Sequence, residues 1–99
     1  MDQEFEFDPA KSAANRDKHG IDFVEAQQLW AVCGWEQPVP FPREPRWLRV
    51  AISGGRAWTA IYTWRGDRIR LISVRRARTE EEASHERAVR TETSDGPQP

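Results

Sequence analysis

The sequence predicts one small α+β domain with the element order β-α-α-β-β-β-α, an antiparallel meander sheet packed against helices. Three observations predict it. Three strand-like runs, "RWLRVAIS", "AWTAIYTW" and "IRLISVR", follow one another across very short turns. Two segments with helix-capping residues precede them, and one follows. The domain is expected over residues 4–90, with 91–99 as a disordered tail.

The elements follow in order. "EFEF" (Glu4 to Phe7) alternates with period two and reads as a first strand. In "DPAKSAANRDKHG", Asp8 suits an N-cap, Pro9 the first helical position, and Gly20 the left-handed residue beyond the last turn. In "DFVEAQQLW", Asp22 and Glu25 have capping-box spacing, and Phe23, Ala26 and Trp30 form an apolar stripe. Four prolines between Gly34 and Pro45 mark that stretch as a loop. Gly54-Gly55 and Gly66-Asp67 then centre two hairpin turns. "TEEEASHERAVR" reads as a last helix with Thr79 as N-cap and Glu82 three residues on.

Net charge is −1 at neutral pH, but the charges are segregated. Residues 1–45 carry nine acids and four bases; from Arg46 to Arg78 nine arginines face Asp67 alone; residues 79–99 carry six acids and two bases. A basic block within an acidic chain points to a polyanion, and arginine is the side chain suited to bidentate phosphate contacts. The plainer reading is an arginine-rich sheet paired with acidic helices. A single cysteine, Cys33, excludes an internal disulfide, and it is read as buried filler at a helix end. The acidic first eight residues do not resemble a secretory leader, and the longest charge-free run is too short to span a membrane. A cytoplasmic protein is expected, with no membrane partner.

The turn centres set a register. Leu48, Val50, Ile52, Ile61, Ile72 and Val74 then share the face expected beneath the helices. Trp47, Arg49, Trp58, Tyr62, Trp64, Ser73 and Arg75 share the other, where rings and guanidiniums suit stacking on bases and contact with phosphates. A one-residue slip exchanges the two faces. Alternatively, Tyr62, Trp64, Ile69 and Leu71 form a second small core beneath the last helix.

Neither histidine has a neighbour at a recurrent metal-ligand spacing, and no phosphate loop or nucleophile elbow is present, so no metal or cofactor is expected. The remaining arginines, lysines, histidines and glutamates fit metal-independent RNA cleavage by the substrate's own 2′-hydroxyl. That reaction needs a base, an acid and cations for the charge on phosphorus. Arg75 is the phosphate-clamp candidate. Glu81 and His85, four apart on the last helix, and His19, beside Lys18 at the end of the first, are the proton-transfer candidates.

"FEFDPAKSAANRDKHGIDFVEA" and "YTWRGDRIRLISVRRA" resemble the two signature regions of BrnT-type toxins. The matching positions are Asp8, Lys11, Asn15, Lys18, His19, Gly20, Phe23, Glu25 and Ala26, then Tyr62, Arg65, Arg70, Ser73, Arg75 and Ala77. The resemblance implies a RelE-like fold and the toxin half of a bacterial type II toxin–antitoxin pair, a ribonuclease that blocks translation. It also implies a ribbon-helix-helix antitoxin, BrnA-like, which neutralises the toxin in a hetero-oligomer and supplies the only DNA contact. On this reading Arg75, Glu81, His85 and His19 are catalytic. Lys18, Arg49, Arg65, Trp58 and Ser73 contact RNA, with Ser73 also orienting Arg75. His85 stands where the family's last helix usually carries Tyr. The competing class is a non-catalytic module that holds a DNA-binding partner and acts in operon autoregulation.

Overall fold

A computed structural model of the chain describes residues 3–94, with side chains through Arg90. Its elements are β1 (Phe5–Glu6), α1 (Pro9–His19), a 3-10 helix (Glu25–Trp30), β2 (Gly34–Val39), β3 (Arg46–Ser53), β4 (Arg56–Arg65), β5 (Arg68–Arg76) and α2 (Thr79–Ser94). The strands form one sheet in the order β1-β5-β4-β3-β2. β2 to β5 are antiparallel neighbours, whereas β1 lies parallel to β5, so the sheet is mixed and not the pure meander expected. Alternation in "EFEF" reveals a strand but not its neighbour. Ion pairs hold the β1–β5 seam, Glu6 with Arg70 at 2.8 Å and Glu4 with Arg68 at 3.1 Å.

The helix ends follow local chemistry. Asp8 accepts from Ala10 N at 2.9 Å, and Gly20, at φ 82°, donates to Arg16 O. Asp22 and Glu25 form the reciprocal capping box, yet the helix they start is 3-10, not α. At six residues it is long for this tighter geometry, whose runs usually stop at three or four. α1 is fastened to the sheet by Asn15. Its amide donates to Val74 O (2.9 Å) and Ile21 O (2.8 Å) and accepts from Val74 N (3.1 Å), replacing the strand that β1 is too short to provide.

The proline-rich stretch is not wholly a loop, because Gly34–Val39 pairs along β3 with Pro38 opposite Trp47. β2 is the sheet's edge, where a missing N–H can face outward without breaking a ladder bond. Cys33, just before it, is exposed rather than buried. Both glycine turns form as expected, with Gly54 and Gly55 at φ 62° and 76°. α2 runs to Ser94, past the expected end of the domain at residue 90; residues 95–99 of the expected tail lie outside the described residues.

Trp47, Arg49, Trp58 and Tyr62 turn toward the first helices, opposite to the expectation, whereas Val74 faces the core and Ser73 and Arg75 the other side, as expected. Directly opposed residues share a face. Trp47 therefore stands with Tyr62, Arg49 with Ala60 and Val74, and Ala51 with Trp58 and Arg76. This is the covered face. Ala51, Trp58, Ala60, Tyr62, Ile69, Leu71 and Val74 pack there against Ile21, Phe23, Ala26 and Leu29 of the α1 and 3-10 region. Of the alternative second core, Tyr62, Ile69 and Leu71 belong to the main one while Trp64 is exposed, and this core lies beneath the first helices rather than the last.

A β-bulge makes the two arrangements compatible. Ile61 opposes Ser73 and Tyr62 opposes Leu71, leaving Ile72 as an extra residue in β5. Ile69, Leu71 and Val74 can all face the core only because this extra residue changes the parity of the strand.

Candidate functional site

The face away from the main core carries two rows of directly opposed residues. One is Trp35–Val50–Thr59–Arg75, and the next is Gln37–Leu48–Ile61–Ser73. α2 lies over the β2–β3 side of this face.

The helix begins one residue out of register with the expected cap. Glu81, not Glu82, reaches back to the N–H of Arg78 at 2.8 Å. Its carboxylate also accepts from Thr59 Oγ1 (2.8 Å), Arg75 Nη1 (2.8 Å) and Arg75 Nη2 (2.9 Å). Glu81 is 8% exposed and fully engaged. The Arg75 guanidinium, ahead of the Arg78 N–H and the Thr59 hydroxyl, holds its carboxyl down at about 2, against the opposing effect of burial. Glu81 in turn raises the Arg75 pKa, so the pair is ionised throughout the physiological range.

The fork geometry of Arg75 defines what this centre can do. A guanidinium has five N–H donors. Three are used, two toward Glu81 and one from Nη1 to Arg76 O at 3.2 Å. The Nε–H and the second Nη2 proton lie side by side and have no protein acceptor among the described residues. They form an edge that matches two oxygens of a phosphate. The Arg75 side chain is 22% exposed and opens into a cleft of about 430 Å³ beneath the first turns of α2.

The remaining predicted residues separate into groups. Lys18, His19 and Ser73 line a shallow depression with Lys11, Asn15 and Ile72, so both lysines of the chain reach one place. Ser73 makes no hydrogen bond to Arg75; Glu81 orients that guanidinium instead. His85 is 8% exposed, and its Nε2 is buried without a hydrogen-bond partner.

Three predicted RNA contacts lie away from Arg75. Trp58 is 7% exposed within the core, with its indole N–H on Ser53 O, so the open stacking surface expected of it does not exist. Arg49 is on the covered face, bonded to Leu29 O, Val32 O and Glu36. Glu36 also accepts from the Tyr62 hydroxyl at 2.8 Å, and burial together with that carboxylate raises the tyrosine's pKa. Arg65 sits opposite Arg68 at the far turn, seven residues along β5 from Arg75 and so roughly 20 Å away.

The basic block is therefore largely balanced. Five of its nine arginines (Arg46, Arg49, Arg68, Arg70 and Arg75) form ion pairs. The plainer reading holds in that they are paired, but of the five acidic partners only Glu81 lies on a helix. Thr59, which the sequence reading missed, becomes visible as a partner of Arg75 only once the bulge has set the register.

Among the described residues no grouping of His, Cys, Asp and Glu could hold a metal ion, and no helix is long and apolar enough to cross a membrane. The fold and site define a small mixed-sheet protein that offers an anion-facing arginine braced by a buried carboxylate. A family model described as "Ribonuclease toxin, BrnT, of type II toxin-antitoxin system" matches residues 7–81. The chain belongs to this family of ribonuclease toxins. Comparison with curated proteins and with solved structures returned no match.

Proposed function

We propose that this chain is the toxin of its pair and cleaves RNA without a metal, using the substrate's 2′-hydroxyl as nucleophile. The supporting observation is the unoccupied Nε/Nη2 edge of Arg75, fixed by Glu81. A cation set rigidly where charge develops on phosphorus needs no reorganisation during the reaction. Glu81, at about 2, is too weak a base to accept the hydroxyl proton efficiently, so its role is to position Arg75. His19, half-exposed in the lysine-lined depression beside Ser73, is the preferred proton-transfer residue, with Lys18 and Lys11 holding neighbouring phosphates.

The antitoxin in this reading is a ribbon-helix-helix protein that brings the pair to DNA. The test is incubation of antitoxin-free protein with RNA in a chelator, beside Arg75→Ala. Cleavage by the first and not the second is expected. Intact RNA with the folded wild-type protein would overturn the assignment.

One observation favours a second reading, a binding module without catalysis. Of the four residues predicted to be catalytic, Glu81 is saturated and His85 is buried, and the family match stops at Glu81. Growth arrest that persists in Arg75→Ala would support it.

A further inference from the structure

We propose that the cleft between α2 and the β2–β4 surface is a nucleotide subsite, in which Trp35 stacks on the base next to the phosphate held by Arg75. The inference rests on the RNA-cleaving reading and adds the residues that would read a base.

Three of the five tryptophans serve the main core, Trp58 within it and Trp30 and Trp47 packed against it, while the exposed Trp64 meets the Tyr62 ring edge-on. Trp35 does neither. It is half-buried on the other face, and no ring or cation partner holds it among the described residues. Trp35 and Arg75 occupy opposite ends of one cross-strand row, three strand spacings or roughly 14 Å apart at Cα.

Between them lies the 430 Å³ cleft, floored by Leu48 and Ile61 and walled by Arg78, Glu80 and Glu81. This volume falls in the range of about 300–1,000 Å³ typical of small-ligand sites. An aromatic ring beside an apolar floor, with a guanidinium at the far end, matches a base joined to its phosphate. Gln37 lies at the Trp35 end, and its amide can both donate to and accept from a base edge. Glu80, whose carboxylate has no hydrogen-bond or ion-pair partner among the described residues, favours a base carrying an exocyclic amino group over uracil.

The experiment measures binding of the full chain to short single-stranded oligonucleotides with 2′-O-methyl groups, which block cleavage. Oligo-A, oligo-C, oligo-U and an abasic oligomer are compared by fluorescence anisotropy. Trp35→Ala is expected to bind oligo-A about 10-fold more weakly, as loss of one stacked base implies, while abasic binding is unchanged. Trp35→Phe should recover most of the affinity, which separates stacking from a folding defect. Gln37→Ala should narrow the preference for oligo-A over oligo-U.

If wild type binds and Trp35→Ala binds equally well, the subsite is wrong while the RNA reading stands. If no oligomer binds wild type, both fall. If Trp35→Ala instead loses only the antitoxin, the cleft belongs to a protein partner and the proposal is overturned.

Discussion

Arg75 and Glu81 meet end-on, both Nη atoms on both carboxylate oxygens at 2.8 and 2.9 Å, across the junction between β5 and α2. The contact spends one edge of the arginine on structure and leaves the other for a ligand. Removing the guanidinium should therefore cost more than removing its brace. Arg75→Ala is expected to lower RNA cleavage by about 10³-fold and Glu81→Gln by about 10²-fold. Arg75→Lys should resemble Arg75→Ala, because an ammonium cannot serve both edges. Single-turnover cleavage rates check all three, with circular dichroism confirming folding. A Glu81→Gln rate equal to wild type would remove its positioning role.

The same pair makes a prediction about acid. Glu81 is ionised in the folded chain down to about pH 2, against about 4.3 for a free glutamate. A depressed carboxyl stabilises the fold fully above the unfolded pKa and loses that contribution as pH falls through the folded one. Urea unfolding at pH 7 should place Glu81→Gln about 2–3 kcal/mol below wild type, and the gap should close between about pH 4 and pH 2. A gap independent of pH over that window would refute the ionic origin.

Asn15 offers a test of how α1 is attached. Asn15→Ala strands Val74 N–H, Val74 O and Ile21 O in the interior, and should cost about 2–4 kcal/mol. Asn15→Asp keeps the acceptor but sets a carboxylate against two carbonyls, so it should not rescue. Chemical denaturation of the three proteins decides the matter.

Arg49 should behave as a structural residue. A Cβ at Gly34 would fall 2.6 Å from its Cζ, and three hydrogen bonds hold that guanidinium in place. Gly34→Ala and Arg49→Lys should each lower stability by about 1–3 kcal/mol while leaving cleavage per folded molecule within about twofold. A tenfold loss of rate without loss of stability in Arg49→Lys would restore it to the RNA surface.

The elements governed by neighbouring residues were legible in the sequence. Asp8, Pro9 and Gly20 bound α1 as expected, Asp22 and Glu25 form their box, and both turns fall on their glycines. What failed depends on distant pairing. Period-two alternation cannot register one extra residue at Ile72, so Val74 was paired with the face of Leu48 and Val50 instead of that of Arg49 and Ala60. Prolines in β2 concealed a strand because whether an edge is available is a property of the whole sheet. Arg75 lies on the face expected of it. That Glu81 bonds its guanidinium required the start of α2 to be placed to the residue.

The bulge also gives β5 two readers. On one side the interior asks Ile69, Leu71 and Val74 for volume; on the other Ser73 and Arg75 carry polar and charged groups. A strictly alternating strand would set Ser73 and Arg75 on the same face as Ile69 and Leu71, against the core. The unpaired Ile72 uncouples them. Either side of β5 can vary through substitution alone, while the loss of a single residue there would misalign both at once.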